Sequence, residues 1–165
     1  MITYELIREE DYKRLTCIMK AAFDDDTRMH TSLSEDGPCG YDDGTLVRKL
    51  NMAEHCISEK ILLDGQIIGA YTVRFERNKY TLEMLYLNPE IKGKGIGYEV
   101  WRYLEKTYSK AEEWIVETPE YSKRNYYFYV DKCGFRPVAI RTHEGGGRSV
   151  IFEKKVPEYA SYDRL

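Results

Sequence analysis

Leu82-Glu83-Met84-Leu85-Tyr86-Leu87-Asn88-Pro89-Glu90-Ile91-Lys92-Gly93-Lys94-Gly95-Ile96-Gly97 is the stretch on which the reading of this chain turns. An apolar extended run passes into a glycine-rich turn. Val100, Trp101, Leu104 and Tyr108 then recur on one face of a helix. A helix N-terminus carries unreturned N–H groups and a partial positive charge, so a strand, turn and helix in this order suit a phosphate. The glycines let the backbone come close to an anion, and Lys92 and Lys94 add charge. A Walker loop is excluded, because no Gly-Lys-Ser/Thr follows at the required spacing. A dinucleotide fingerprint would need glycine where Tyr98 stands, and would sit in the first parallel unit of the chain. A structural turn without ligand is the remaining alternative.

Working outward, residues 57–63 and 66–75 flank Asp64-Gly65, a dipeptide suited to a tight hairpin. With residues 80–87, after the turn Arg77-Asn78-Lys79, they predict an antiparallel meander. Before it, residues 4–7 read as a strand. Residues 9–23 form an amphipathic helix carrying Leu15, Ile18, Met19, Ala22 and Phe23. Residues 24–43 read as polar and turn-rich, and a second helix is expected over 43–56. Downstream come a buried strand at 114–117 and a helix at 123–132, N-capped by Ser122 and closed at Gly134. A hairpin of 136–142 with 148–155 surrounds Gly145-Gly146-Gly147, and the tail from Pro157 shows no pattern. No repeat or linker interrupts this order, so residues 1–165 are read as a single α/β (α+β) domain.

The composition bounds the rest. The chain has 165 residues, 42% hydrophobic and 32% charged, which excludes fibrous and wholly disordered classes. A net charge of −3 leaves no nucleic-acid footprint. With Glu5, Arg8, Glu9 and Glu10 near its start the sequence is not expected to open on a signal peptide, and no apolar run approaches the ~20 residues of a membrane span. A cytoplasmic protein with no membrane partner is expected. Cys17, Cys39, Cys56 and Cys133 lack CxxC spacing and read as reduced thiols. His30, His55 and His143 are scattered, so no metal site is expected. The 15 tyrosines against 5 phenylalanines suit a ligand cleft as well as half-buried strands and helices.

Lys92-Gly93-Lys94-Gly95-Ile96-Gly97 resembles the acetyl-CoA motif Gln/Arg-x-x-Gly-x-Gly/Ala of the GNAT superfamily of N-acetyltransferases, with Lys92 in place of the usual Gln/Arg. A second resemblance lies in Asn125-Tyr126-Tyr127-Phe128-Tyr129 followed by Lys132-Cys133-Gly134-Phe135, similar to that family's late helix. The resemblance covers about residues 2–155. It implies a mixed sheet of six to seven strands, mostly antiparallel and splayed between strands four and five, with about four helices.

It also implies acetyl-CoA as co-substrate. The pyrophosphate falls to Lys92, Gly93, Lys94, Gly95, Ile96 and Gly97. The pantetheine arm falls to Leu85, Tyr86 and Leu87 on one side and residues 114–117 on the other. Asn125 would face the cofactor, and Tyr129 would bind it and protonate the leaving thiolate. One residue more than the commonest family spacing separates Tyr129 from Gly134, and counting back from Gly134 puts Val130 at the tyrosine position.

An ammonium acceptor must lose a proton before attack. Glu83, on the same strand face as Leu85, is the first candidate base and Glu117 the second. The plain alternative for Glu83 is an ion pair with a neighbouring basic side chain. Asp24-Asp25-Asp26, Glu35-Asp36 and Asp42-Asp43, around Tyr41, read either as an acidic lip that steers a cationic amine or as a solvated loop. The expected activity is direct N-acetylation of a small-molecule or peptide amine. A non-catalytic acyl-CoA-binding module is the alternative, and a homodimer is compatible with either.

Overall fold

The computed structural model describes residues 1–157. Seven strands hydrogen-bond in the order β1-β2-β3-β4-β5-β7-β6. They are β1 (Ile2–Leu6), β2 (Cys56–Leu63), β3 (Gln66–Glu76), β4 (Lys79–Leu87), β5 (Glu113–Pro119), β6 (Arg136–Thr142) and β7 (Arg148–Lys155). The helices are α1 (Tyr12–His30), α2 (Thr45–Met52), α3 (Ile96–Thr107) and α4 (Lys123–Tyr127). This is the mixed, mostly antiparallel sheet with four helices that the resemblance implies. β4 and β5 form a parallel pair, with register Lys79↔Glu113 to Leu82↔Val116. That register stops while both strands run on, to Leu87 and Pro119.

The contacts gather into two units, residues 1–74 with 83–94 and residues 75–82 with 95 onward. In the first, β1 and β2 pair from Ile2↔Leu63 to Leu6↔Glu59, and β2 pairs with β3 across the Asp64-Gly65 turn. Asp64 and Gly65 both adopt positive φ, as a two-residue hairpin of this kind requires. Leu15, Ile18 and Met19 of α1 and Val47 of α2 bury themselves with Ala70 and Tyr86.

Here the helix boundaries depart from expectation. α1 does not stop at Phe23 but runs through Asp24-Asp25-Asp26 to His30. Asp24 is buried because it is satisfied: Lys20 Nζ donates to Oδ2 at 2.5 Å and the Tyr41 hydroxyl to Oδ1 at 2.7 Å. Thr27 Oγ1 donates to the Asp36 carbonyl at 2.9 Å and ties the following loop to the helix. A run of acids read from composition as loop is thus half core. α2 is shorter than expected, because Ala53 is already extended and Cys56 opens β2.

The second unit is built on aromatics. Trp101 of α3 meets Trp114 of β5 edge-on at 5.1 Å between ring centroids and Phe135 at 5.0 Å. Tyr129 packs against Phe128, Phe135 and Phe152. β5 pairs with β7 from Glu113↔Lys155 to Pro119↔Ser149, and β7 with β6 from Arg136↔Glu153 to Thr142↔Arg148. β6 is last in the strand order, and every residue of it is exposed.

Candidate active site

The glycine turn is built as the sequence suggests. Pro89–Ile91 form a short 3-10 turn after Asn88, whose side chain accepts from the Glu90 N–H at 3.1 Å. Gly93 (φ 83°) and Gly95 (φ 75°) then take the left-handed conformation that favours glycine, with open space where a Cβ would stand. Gly95 is the N-cap of α3 and no side chain caps the helix. The first returned amide is Glu99 N–H, to the Gly95 carbonyl at 3.1 Å. The amides of Ile96, Gly97 and Tyr98 therefore have no acceptor within the helix, the condition under which a helix N-terminus suits an anion. Lys94 is exposed, and Lys92 Nζ lies 2.9 Å from Asp25 Oδ2 of α1.

Residues 85–87 lie at the end of β4, with Tyr86 buried and Leu85 and Leu87 half-buried. A contributor that the sequence did not flag stands beside them. A Cβ on Gly69 would fall 2.0 Å from the Tyr86 carbonyl oxygen and 3.0 Å from Leu87 Cα. Gly69 adjoins a register shift in the β2–β3 ladder, and the Asn88 N–H donates to the Ile68 carbonyl at 2.7 Å. The end of β4 can take this path only because position 69 has no side chain. A glycine inside a strand is the one signal that could have pointed to it.

Glu83 is engaged: its Oε1 accepts from Arg74 Nε at 2.6 Å. This is the ion pair with a basic neighbour that stood as the alternative to a role for Glu83 as base. Tyr129 is buried, and burial pushes its phenol well above the ordinary tyrosine range. The spacing problem before Gly134 is resolved by a π turn over Phe128–Lys132. Cys133 N–H reaches back to the Phe128 carbonyl at 3.1 Å, a five-residue step that absorbs one extra residue. Tyr129 is thereby turned into the aromatic cluster, and Gly134 (φ 80°) still closes the helix. Ser122 Oγ accepts from the Asn125 N–H at 3.3 Å, so it caps α4 as expected. Cys133 is buried, and burial pushes its thiol up to about 12.

The acidic lip is largely spent on structure. Asp24 is buried, and burial alone would raise its carboxyl. The bonds from Lys20 and Tyr41 more than offset that and hold it below its usual range. Tyr41 is buried as well, its hydroxyl pushed up to about 12 chiefly by the bond to Asp24. Asp25 pairs with Lys92, Glu35 with Lys20, and Asp43 accepts from the Thr45 amide at the start of α2. Of the residues expected to steer an amine, Asp24, Asp26 and the ring of Tyr41 are removed from the surface.

A second group, in which only Glu117 was foreseen, lies at the end of β5. Glu117 Oε2 accepts from Ser149 Oγ at 2.8 Å, and Ser149 Oγ lies 2.9 Å from His143 Nε2. Arg141 Nε is 3.6 Å from Glu117 Oε1. The sequence offers Glu117 but gives no signal for Ser149 or His143, which reach it across the β5–β7–β6 ladders.

A family model described as the acetyltransferase (GNAT) family matches residues 10–135. The chain is 32% identical over 139 residues to an uncharacterised protein of Bacillus subtilis, YrkN, covering 83% of this chain and 74% of that one. Its fold is similar to that of the PaiA N-acetyltransferase of Thermoplasma acidophilum in complex with coenzyme A, with a TM-score of 0.70 and 20% identity, covering 94% and 99% of the two chains. An aminoglycoside 6'-N-acetyltransferase complexed with coenzyme A gives a TM-score of 0.69 at 14% identity, covering 96% and 98%. The chain belongs to the GNAT acetyltransferase family. Among its described residues, no helix is long and apolar enough to cross a membrane.

Proposed function

We propose that this protein is an acetyl-CoA-dependent N-acetyltransferase that moves the acetyl group directly to a primary amine of a small molecule or peptide. The observation that carries this reading is the uncapped N-terminus of α3, opened by Gly93 and Gly95 and flanked by Lys92 and Lys94. It suits the pyrophosphate of coenzyme A, which the two related structures hold. Thr118 adds support: its hydroxyl is buried with no partner at the end of β5, a polar group left for the amides of a pantetheine arm.

In this reading the N–H groups of residues 85–87 hold the thioester oxygen as charge develops on it. Gly69 fixes where that backbone runs. Tyr129, kept protonated by its burial, supplies the proton for the departing sulfur, and Asn125 lies one turn ahead of it on the cofactor side. A carboxylate relieves the acceptor ammonium of its proton. The sequence offers two: Glu83, bonded to Arg74, and Glu117, bonded to Ser149 with Arg141 at 3.6 Å.

The test is the melting temperature with and without acetyl-CoA, with NAD and ATP as controls, followed by thiol release with an amine panel. At a hundredfold excess over Kd, acetyl-CoA stabilises by about 2.7 kcal/mol and moves the midpoint by several degrees. No shift at millimolar acetyl-CoA overturns the cofactor assignment. A shift without thiol release from any amine leaves a binding module in place of an enzyme.

A further inference from the structure

We propose that Asp25 of α1 sets the affinity for the diphosphate of coenzyme A by holding Lys92 as its counter-ion, so that Lys92 exchanges one anionic partner for another when the cofactor enters. The proposal rests on the cofactor reading above and adds to it a residue outside the glycine turn.

The two lysines beside that turn are not equivalent. Lys94 is exposed. Lys92 Nζ donates to Asp25 Oδ2 at 2.9 Å, a contact between residues 67 positions apart in the chain. The Asp25 side chain is only 21% exposed against 49% for Lys92, so the carboxylate is the more deeply held partner. α1 also packs against the short turn of residues 89–91, which leads directly into Lys92. The pair is therefore part of a packed contact rather than a meeting of two long side chains in solvent.

The neighbours of Asp25 fix it in place. Asp24 is buried and accepts from Lys20 and Tyr41. Asp26 is buried as well, with Oδ1 3.3 Å from His30 Nδ1, and Thr27 Oγ1 donates to the Asp36 carbonyl. A helix segment anchored on both sides of Asp25 cannot follow a partner that leaves. Lys92 is the opposite case. Its ammonium rides on a flexible four-carbon stem, its backbone is extended, and Gly93 follows at φ 83°. Lys92 is thus the partner that moves.

Electrostatics give the sign. Turning Lys92 toward a diphosphate breaks its pair with Asp25, and the carboxylate that loses it is a like charge to the entering dianion. Both effects lower affinity. A pair of this exposure is worth up to about fivefold in an equilibrium constant. Acetyl-CoA and product coenzyme A carry the same diphosphate, so Asp25 weakens the hold on both and speeds product release after transfer.

The experiment is titration calorimetry of the full chain with acetyl-CoA and with coenzyme A, on variants at positions 25, 92 and 94. Asp25→Asn is expected to tighten Kd for both ligands by about five- to tenfold, while Asp25→Glu, which keeps the charge, stays within about twofold of wild type. Lys92→Gln is expected to weaken Kd about twofold beside Asp25 but about tenfold in the Asp25→Asn background. Lys94→Gln is expected to weaken it about tenfold in either background. A merely structural Asp25 would not separate the two lysines in this way, and the unliganded melting temperature of each variant reports any damage to the fold.

An Asp25→Asn variant that binds no tighter than wild type overturns the proposal. So does a Lys92→Gln loss that is the same in both backgrounds. Where Asp25→Asn does not fold, the single lysine variants decide: a loss in Lys92→Gln as large as that in Lys94→Gln overturns the exchange, and a smaller one supports it. If the wild type itself binds no acetyl-CoA, the cofactor reading falls and this proposal with it. Binding by the wild type without a gain in Asp25→Asn sinks the exchange alone.

Discussion

Two turns of this molecule have nearly the same composition and opposite hydrogen-bond accounts. Gly93 and Gly95 lead into α3, and Gly145 and Gly146 cap the β6–β7 hairpin; all four have positive φ and open space at the missing Cβ. At the hairpin the chain returns its own amides: His143 N–H goes to the Gly147 carbonyl at 2.7 Å and Gly146 N–H to the His143 carbonyl at 3.1 Å. At the head of α3 the amides ahead of Glu99 have nothing in the helix to bond. Glycine therefore reports the path of the backbone, and only the destination of the N–H groups separates the proposed phosphate cradle from a plain turn.

The comparison breaks most sharply under valine. Gly95→Val places a β-branched side chain at φ 75° in the cradle, and the acetyl-CoA melting shift should disappear, with Kd weakened at least a hundredfold. Gly146→Val meets the same backbone penalty of about 1–2 kcal/mol at φ 95° yet should keep the full shift. A lost shift in Gly146→Val would erase the distinction between the turns. Tyr129→Phe comes next: kcat should fall about a hundredfold while acetyl-CoA still raises the midpoint. Because burial lifts this phenol far above its ordinary range, the wild-type rate should show no loss from its ionisation up to about pH 10. A basic limb below that pH would argue against Tyr129 as the donor.

Gly69→Ala tests a glycine of a third kind, crowded rather than open. The new Cβ would meet the Tyr86 carbonyl at 2.0 Å, so the end of β4 must move, and kcat/KM should drop about tenfold or more with a lower melting temperature. Retained kcat/KM would show that residues 85–87 tolerate displacement.

The smallest effect is on stability. Asp24→Asn removes a buried carboxylate bonded to Lys20 and Tyr41 and should cost about 2 kcal/mol at neutral pH. Asp24 titrates below its unfolded value, so its stabilisation is complete above about pH 4 and is lost as pH falls through the folded value. The gap between wild type and variant in melting temperature should close toward pH 2.

Much of this was legible in the sequence because it is local. Asp64-Gly65, Ser122, Gly134 and the glycine turn each declare a backbone conformation within a few residues, and the strands of the meander follow from period and turn. What stayed hidden depends on partners distant in sequence. The run of acids from Asp24 reads as loop until Tyr41, seventeen residues on, supplies the hydrogen bond that lets it enter the core. Ser149 and His143 carry no local signal at all; they become neighbours of Glu117 only through the β5–β7–β6 register. The extra residue before Gly134 was visible as a count, but a count cannot say whether a loop, a bulge or a π turn absorbs it.

The last strand in the order, β6, has a consequence for handling the protein in concentrated solution. An outer strand exposed along its whole length, with Val138 and Ile140 half in water, is a template for strands of other molecules. This edge is blunted by three features. Pro137 has no amide to donate, the register slips between Pro137 and Ala139, and Arg136 and Arg141 place charge toward either end. Together these features work against the addition of a strand from another molecule along β6.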